Sequence, residues 1–360
     1  DLSFEDVDSA LHPVLDMGRT PMLQLMRRAD ILITYPYQSF DHVVRLLREA
    51  AIDPKVEEIK MTLYRTTKTS QIVNALVNAA RNGKKVAVSI ELMARFDEEN
   101  NITMSERLLE TGAQVMFGVP PMKTHCKLLL IKRGEKLFAG LSTGNCNEKT
   151  GKLYVDSMLL TADPRLTSEV ARVFRIFDKN KIPVAPNVPI FEHLLVSPFN
   201  TRDRILQHID EEMRKGAEGY IFIKTNHLTD VRLAKKLYAA AEAGVRVDLV
   251  VRTTYAVPTH PNIRAISILD RYLEHQRIYM FGRDTKMRLY MSSADMMERN
   301  LDYRVEVGFP VYDNDLKREV AAMMAFQIQD NVKARVLDQM QTNPYVPHEG
   351  EECRAQYATQ

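Results

Sequence analysis

The sequence predicts an α/β protein built from two tandem repeats, each a mixed sheet flanked by helices. A strand–helix–strand pattern occurs in both halves, about 150 residues apart, as "EEIKMTLYR", "SQIVNALVNAARNG" and "KKVAVSIEL", and again as "GYIFIKTN", "DVRLAKKLYAAAEAG" and "VRVDLVV". Each half then continues into two apolar segments around a glycine, Gly134 or Gly282. Because a strand–helix–strand unit pairs its strands in parallel, we expect parallel strands beside an antiparallel hairpin in each repeat.

Local signals predict where several helices begin and end. In the first repeat, Ser70 precedes apolar residues at helical spacing and Gly83 follows them, which predicts a cap and a stop. Gly244 is the equivalent stop in the second repeat. A further helix is predicted to begin at Thr103, whose capping box is completed by Glu106.

The chain divides into four predicted parts. These are a tail of an upstream domain (1–30), the first repeat domain (31–185), the second repeat domain (186–347) and a polar C-terminal tail (348–360) that is expected to fray. The Pro-rich segment "KIPVAPNVPIFEH" between the repeats is predicted to be a linker. Because the chain starts with Asp1 rather than Met, we expect it to be a piece of a longer protein.

The composition limits the possible classes of protein. A chain of 360 residues with a net charge of +2 and a pI of about 8.3 has no global basic field, so nucleic acid is not expected as a partner and any anion site must be local. Three cysteines without a C-x-x-C pair are typical of a reducing compartment, and there is no signal peptide or membrane-length apolar run. We therefore expect a cytoplasmic protein. There is also no P-loop, no H-E-x-x-H and no zinc-type spacing.

One short motif occurs in both repeats. The segment "MKTHCKLLLI" is predicted to be a buried strand with His125 and Lys127 on one face, and the same element returns as His275 and Arg277. A single His-x-Lys is best explained as a solvated strand end. Its repetition with partners at matching spacing indicates an anion site instead.

The hairpins predict which residues lie near the histidines. In an antiparallel hairpin, residues equidistant from the turn face each other. With turns centred near residues 135 and 285, the expected pairs are His125 with Asn145, Lys127 with Thr143, His275 with Asp295, and Arg277 with Ser293.

Two histidines among cations suit the transfer of a phosphoryl or phosphodiester group. One neutral imidazole can be the nucleophile and the other can donate a proton to the leaving oxygen. Asp156 and Glu306, at equal spacing after the two histidines, are candidates to orient the rings, although both could be solvated strand charges. Whether each serves its own repeat or the opposite one stays open at this point. If the repeats pack about a pseudo-twofold axis, both clusters can share one cleft.

Further candidates lie at the ends of predicted strands. Arg65, Arg95 and Arg252 each end or follow a strand of the strand–helix–strand units, where α/β proteins bind ligands. The arginine fork binds phosphate oxygens well, and simple surface charges are the alternative. Tyr154 could contact a ligand or belong to the core.

Long motifs in this chain resemble bacterial polyphosphate kinase, the type that builds long-chain polyphosphate from ATP. They are "YPYQSFDHVVRLLREAA", "LYRTTKTSQIVNALVNAARNGKKVAVSIELMARFDEENNI", "THCKLLLI", "STGNCNEKTGKLYVDSMLLTAD", "NIRAISILDRYLEHQRIYMF" and "SSADMMERNLDYRVEV". The resemblance runs from about residue 28 to 347 and corresponds to that family's two C-terminal, phospholipase D-like domains.

The resemblance implies a role for each matching residue. His125 would take the γ-phosphoryl group of ATP as phosphohistidine, and His275 would be proton donor or acceptor and nucleotide contact. Arg65 and Arg95 would clamp phosphate and its associated Mg²⁺ through phosphate oxygens, and no direct protein ligand for the metal is assigned. Tyr154 and Arg252 match nucleotide-binding positions, and Lys127 and Arg277 are expected to bind phosphate.

The resemblance also implies partners. These are ATP, ADP and inorganic polyphosphate, with a homo-oligomer expected and peripheral association with the inner membrane left open. We expect weakened or lost turnover by this chain without the family's N-terminal half.

Two other functions compete with the kinase. A phosphodiesterase or phosphatidyltransferase could use the same paired histidines on lipid or nucleic acid, but the phospholipase D superfamily usually has Asp five residues after the lysine, where this chain has Lys132. That departure and the number of arginines favour the kinase. The third possibility is a module that binds polyphosphate or nucleotide without transferring a group.

Overall fold

The computed structural model describes residues 9–15, 20–64, 70–91, 98–348 and 350–360. These residues form two compact units. The first unit contains the described residues up to Leu194 together with Tyr303–Val307, and the second contains Leu195–Asp302 and Gly308–Gln360. A short piece of the second repeat therefore belongs, by its contacts, to the first unit. No helix in the described ranges is long and apolar enough to cross a membrane.

The first unit alternates strands and helices in its N-terminal part and then forms the hairpin. Its elements are α1 (Met22–Met26), β1 (Ile31–Tyr35), α2 (Asp41–Ile52), β2 (Val56–Leu63), α3 (Gln71–Arg81), β3 (Lys85–Ile90), α4 (Glu98–Leu109), β4 (Gln114–Met116), β5 (Lys123–Thr124), β6 (Lys127–Arg133), β7 (Lys136–Ser142), a 3₁₀ turn (Thr150–Lys152), β8 (Tyr154–Thr161) and α5 (Pro164–Asp178).

The second unit follows a similar order, except that the described residues between β11 and β12 contain no helix equivalent to α4. Its elements are β9 (Leu195–Ser197), α6 (Thr201–Met213), a 3₁₀ turn (Gly216–Glu218), β10 (Tyr220–Leu228), α7 (Val231–Glu242), β11 (Arg246–Tyr255), β12 (Ile263–Ile268), β13 (Leu273–Glu274), β14 (Arg277–Phe281), a 3₁₀ turn (Asp284–Lys286), β15 (Arg288–Ser292), α8 (Glu298–Asp302), β16 (Arg304–Pro310), α9 (Asn314–Gln329), β17 (Ala334–Val336) and α10 (Ala355–Ala358). Strand β16 begins in the first unit and ends in the second.

The two sheets share one topology. Strand order is β8-β7-β6-β2-β3-β4 in the first unit, with β1 beside β8, and β16-β15-β14-β10-β11-β12 in the second, with β17 beside β12. In each sheet three strands are parallel and the hairpin strands beside them are antiparallel. The predicted fold class, α/β with two mixed sheets related by an internal repeat, is confirmed.

Apolar faces of helices and strands form a separate core in each unit. The first core joins α2 and α3 to the sheet, and it also takes in Met22 and Met26 of α1. The second core joins α6 and α7 to their sheet. Burial of these side chains is the main favourable contribution to the stability of each unit. The segment before Ile31 thus contributes to the core of the first unit.

The sequence predicted helix ends correctly where a capping residue determines them. The Ser70 side chain accepts a hydrogen bond from the Val73 amide at 3.3 Å, and Gly83 and Gly244 adopt φ values of +80° and +94°, so these three predictions are confirmed. The prediction for Thr103 is wrong, because α4 begins at Glu98.

Both predicted hairpin registers are wrong by one residue. Arg133 pairs with Lys136, so only Gly134 and Glu135 form the turn, and Lys127 faces Ser142 rather than Thr143. The physical reason is the tight two-residue turn. It places the centre of the hairpin between Gly134 and Glu135, whereas the prediction had placed the centre on residue 135. The second hairpin closes with a 3₁₀ turn, and there too the centre falls half a residue early, so Arg277 faces Ser292 rather than Ser293.

The predicted strand "MKTHCKLLLI" is interrupted. It forms β5 and β6, and His125 and Cys126 lie between them, outside either strand. The histidines therefore do not occupy the expected positions opposite Asn145 and Asp295. The same break separates β13 from β14 around His275.

Part of the predicted C-terminal tail is folded. Residues 355–358 form α10, in which Ala355 and Gln356 are each 1% exposed. Two hydrogen bonds from the Arg354 guanidinium to the Asp270 carboxylate, at 2.6 and 2.9 Å, hold the start of this segment. The expectation of fraying is wrong for residues 354–358, because the polar side chains of Arg354 and Gln356 find buried polar partners.

Candidate active site

A buried carboxylate holds the ring of His125. Strand β5 pairs in parallel with Arg304–Val305, and the amides of His125 and Cys126 both donate to the Val305 carbonyl at 3.0 Å. The next residue, Glu306, is thereby placed beside the imidazole, with its carboxylate oxygens 2.7 and 2.9 Å from Nδ1. Glu306 is fully buried, whereas the His125 side chain keeps 13% of its surface exposed.

This contact answers the question left open by the spacing. Glu306 follows the histidine of the second repeat in sequence, but it orients the histidine of the first. An ionised carboxylate can only accept hydrogen bonds, so a neutral imidazole bonded to it through Nδ1 carries its proton there and has its lone pair on Nε2. The arrangement suits a histidine that acts as a nucleophile through Nε2.

Tyr64 and Lys127 surround the same ring. The Tyr64 ring meets the His125 ring edge to face, with centroids 4.9 Å apart. The Lys127 ammonium donates to the backbone carbonyl of His125 and lies 5.3 Å from the Tyr64 centroid. Lys127 is only 2% exposed, and its ammonium group fixes the backbone at His125 through this hydrogen bond. Tyr64 was missed by the sequence reasoning, although it directly follows β2 at the end of a parallel strand.

Asp156 forms a second buried cluster in the first unit. Its carboxylate accepts a hydrogen bond from the Thr143 hydroxyl at 2.7 Å, and Thr143 accepts one from the Ser157 amide at 3.0 Å. Gly144 approaches so closely that a Cβ atom there would lie 1.9 Å from Asp156 Oδ2. Within the described part of the chain, the buried Oδ1 atom of Asn145 has no hydrogen-bond partner.

In the second unit a buried ion pair lies beside His275. The Arg277 guanidinium binds both Asp295 oxygens at 3.1 Å, and its Nη1 donates to the His275 carbonyl at 2.8 Å. Asp295 also accepts from the Asn226 amide at 2.9 Å and the Thr225 hydroxyl at 3.0 Å. Burial alone would raise the pKa of Asp295, but the charge and hydrogen bonds of Arg277 and the Asn226 amide outweigh it and lower that pKa well below its usual range.

The sequence predicted that Asp295 lies opposite His275, whereas in the structure Asp295 forms an ion pair with Arg277. The Arg277 guanidinium binds this carboxylate and the His275 carbonyl, and Arg277 is 3% exposed. Lys127 and Arg277 thus act alike, since each cation holds the carbonyl of the histidine two residues before it.

Arg252 and Tyr154 are two further candidates that the structure describes. Arg252 lies within β11 and not at its end, because the strand continues to Tyr255. Its Nη1 donates to the Glu274 carbonyl at 2.7 Å, directly before His275. Tyr154 is partly buried at the start of β8. Arg65 and Arg95 lie outside the described residues.

His227 is a further imidazole near the Arg277–Asp295 pair. It follows the register shift in β10, and its Nδ1 lies 3.0 Å from the Thr254 hydroxyl. Burial lowers its pKa, Asp295 partly opposes this, and the positive charges of Arg252 and Arg277 lower it further. His227 was not among the candidates predicted from the sequence, although the rule that selected Arg252, a position near the carboxyl end of a parallel strand, also selects His227.

The described residues offer no ready-made metal cluster. In the ranges that the structure covers, no group of three or more His, Cys, Asp and Glu side chains is arranged to hold an ion.

Two α/β units of one topology, each with a histidine held by buried partners, define a duplicated α/β protein with paired histidine sites. The fold is shared with the phosphatidylserine synthase of Haemophilus influenzae, at a TM-score of 0.54 and 14% identity over 85% of this chain and 87% of that one. At that identity the likeness shows the fold alone.

The chain belongs to the polyphosphate kinase family. The family models for polyphosphate kinase C-terminal domain 1 and C-terminal domain 2 match residues 21–183 and 194–356. The chain is similar to the polyphosphate kinases of Escherichia coli K12 (45% identity over 334 residues, 89% of this chain and 48% of that protein) and Vibrio parahaemolyticus (43% over 342 residues, 92% and 48%). The crystal structure of polyphosphate kinase from Porphyromonas gingivalis matches 99% of this chain and 56% of its own, with a TM-score of 0.90 and 38% identity. The chain spans about half the length of the curated relatives that it matches.

Proposed function

We propose that this chain carries the phosphoryl-transfer centre of an ATP:polyphosphate phosphotransferase. The observation that carries the proposal is the buried Glu306 carboxylate against Nδ1 of His125. Membership of the polyphosphate kinase family supplies the substrate class, ATP and inorganic polyphosphate.

In the first half-reaction, Nε2 of His125 attacks the γ-phosphorus of ATP. An N–P bond forms, the bond from the γ-phosphorus to the bridging oxygen breaks, and ADP leaves with that electron pair. The proton on Nδ1 stays hydrogen-bonded to Glu306, whose negative charge stabilises the positive charge that develops on the ring. In the second half-reaction a terminal oxygen of polyphosphate attacks the phosphorus, the N–P bond breaks, and the chain grows by one phosphate. The reverse reaction uses the same phosphohistidine.

His275 is proposed to contact the nucleotide and to exchange a proton with a phosphate oxygen. The neighbouring arginines support this proposal because they fix the backbone at His275. Arg277 donates a hydrogen bond to the His275 carbonyl, and Arg252 donates one to the Glu274 carbonyl. Tyr154 and Arg252 are proposed nucleotide contacts. For Lys127 and Arg277 we propose a dual role, in which each positions a histidine and adds positive potential for phosphate.

Mg²⁺ is proposed to arrive with the nucleotide phosphates. This ion keeps several waters and prefers phosphate oxygens to dedicated protein cages. It would neutralise phosphate charge. Arg65 and Arg95 remain proposed phosphate clamps. Homo-oligomer formation and peripheral membrane association stay predictions.

The test uses ATP labelled at the γ-phosphate, with Mg²⁺, on this chain and on a longer protein that includes the family's N-terminal half. Protein-bound label that survives alkali and is lost in acid identifies a phosphohistidine. We expect His125→Ala to abolish the label and His275→Ala to slow its formation. His348→Ala is the matched control, since His348 is exposed and its ring nitrogens lie 3.3 Å from the Asn331 carbonyl and 3.6 Å from the Glu352 carboxylate, away from the residues assigned to the reaction.

The alternatives predict different results. Hydrolysis of bis-p-nitrophenyl phosphate without any label from ATP or polyphosphate would indicate a phosphodiesterase or phosphatidyltransferase. Tight binding of polyphosphate with no label in either protein would indicate a binding module. Full specific activity of this chain alone would contradict the expected need for the N-terminal half.

A further inference from the structure

We infer that Gln356, in the C-terminal helix α10, is a positioning residue for His275 and acts through the segment Tyr272–Glu274. For its activity assay this inference rests on the proposed function. Gln356 lies more than eighty positions after this segment in sequence, and its side chain is 1% exposed. It is the last residue matched by the second family domain.

The Gln356 amide makes three hydrogen bonds to the segment before His275. Its Oε1 accepts from the Tyr272 amide at 2.9 Å, and its Nε2 donates to the Tyr272 carbonyl at 2.8 Å and to Glu274 Oε1 at 2.7 Å. Both amide protons and the carbonyl oxygen are thus used on residues 272–274. A side chain bonded in this way fixes both the backbone and the carboxylate that directly precede the histidine.

The other Glu274 oxygen is held from inside the unit. Lys224 of β10 and Gln327 of α9 both donate to Glu274 Oε2, and Lys224 also donates to Gln276 Oε1 at 3.1 Å. Glu274 and Gln276 flank His275, so one buried lysine links both neighbours of the histidine. All of these side chains are at most 5% exposed.

The printed bonds of this network end on the residues directly before and after His275, so the network fixes the backbone on both sides of the histidine. Loss of Gln356 would leave three buried polar groups without their partner, and the segment would move to satisfy them. A shift of about 1 Å at a reacting group can cost about 100-fold in rate.

The experiment compares Gln356→Met with the same substitution at Gln329. Both variants are made in the longer protein that includes the family's N-terminal half. Gln329 is exposed on α9, two positions after Gln327, so Gln329→Met controls for the chemical change. We expect Gln356→Met to slow phosphoenzyme formation about 10- to 100-fold while Gln329→Met leaves it unchanged. Gln356→Asn, which keeps the amide on a shorter stem, should recover part of the rate.

A double-variant cycle separates positioning from general stability. If Gln356 acts through His275, Gln356→Met should have no further effect in a His275→Ala background, since the group it positions is gone. An equal loss in both backgrounds, or no loss in either, overturns the inference.

A second measurement does not need activity, so failure of the proposed function can be told from failure of this inference. Imidazole resonances are recorded in histidine-labelled protein and assigned through the His275→Ala and His125→Ala variants. We expect Gln356→Met to shift the His275 signal and leave the His125 signal in place. An unchanged His275 signal overturns the inference whether or not the protein transfers phosphate.

Discussion

The Glu306 carboxylate lies 2.7 Å from Nδ1 of His125, although 181 positions separate the two residues in sequence. The two are brought together by the short parallel pairing of β5 with the start of β16. The contact fixes the tautomer of the proposed nucleophile, so its removal tests the mechanism directly.

Glu306→Gln should lower the rate of phosphoenzyme formation by about 100-fold or more. Glutamine has nearly the same shape but no negative charge to stabilise the ring as the N–P bond forms. The measurement is the initial rate of alkali-stable label from γ-labelled ATP. Glu298→Gln, at an exposed position, is the control, and equal rates for both variants would contradict the assigned role.

Arg277→Met should destabilise the second unit by about 3–5 kcal/mol, because it leaves the buried Asp295 carboxylate without its cation. The double variant Arg277→Met/Asp295→Leu should recover much of this loss, since no buried charge remains. Denaturant unfolding measures both. A double variant as unstable as the single one would show that the loss comes from packing and not from charge.

Gly144→Ala should destabilise the first unit by about 1–3 kcal/mol, because its Cβ would overlap the Asp156 carboxylate at 1.9 Å. Asp156 is itself fixed by Thr143, so it cannot move away freely. Gly140→Ala is the comparison, since its nearest contact would be the Leu129 Cβ at 3.3 Å. Similar unfolding free energies for the two variants would disprove the close approach.

The second unit should lose stability as the pH falls from 6.5 towards 4. His208 is packed against Tyr290 and Phe281, and burial, followed by the charges of Arg288 and Arg204, lowers its pKa from 6.5 to about 4. Between these values the unfolded chain binds a proton that the folded unit does not, so lower pH favours unfolding.

His208→Gln should reduce the slope of unfolding free energy against pH in that window, because glutamine does not titrate. His348→Gln, at an exposed histidine, should leave the slope as it is. The same slope in all three proteins would show that other groups cause the acid sensitivity.

A structural feature could be predicted from the sequence when nearby residues determine it. Ser70 and Gly83 act within one helical turn, and both were predicted correctly. The start of α4 was missed because a tertiary contact sets it: the Asn101 side chain donates to the Glu91 and Tyr64 carbonyls at 3.0 and 3.1 Å, which fixes the helix before Thr103.

The candidate site shows the same limit. Repetition identified His125 and His275, and equal spacing identified Glu306 as a candidate carboxylate. Spacing could not show which histidine Glu306 contacts, because that contact depends on the pairing of β5 with the first two residues of β16. It also could not show Gln356, because nothing near that residue in sequence indicates a role at a histidine.

The path of β16 has a consequence for the ancestry of the fold. Residues 303–307 of the second repeat complete the cluster around His125, and the carboxylate seen on that ring, Glu306, comes from this segment and not from the first repeat. An ancestor with one repeat would have needed a second copy of itself to supply this residue, as in an exchanged-strand dimer. Gene duplication and fusion would then have made that exchange permanent, and the two histidines could afterwards diverge in role.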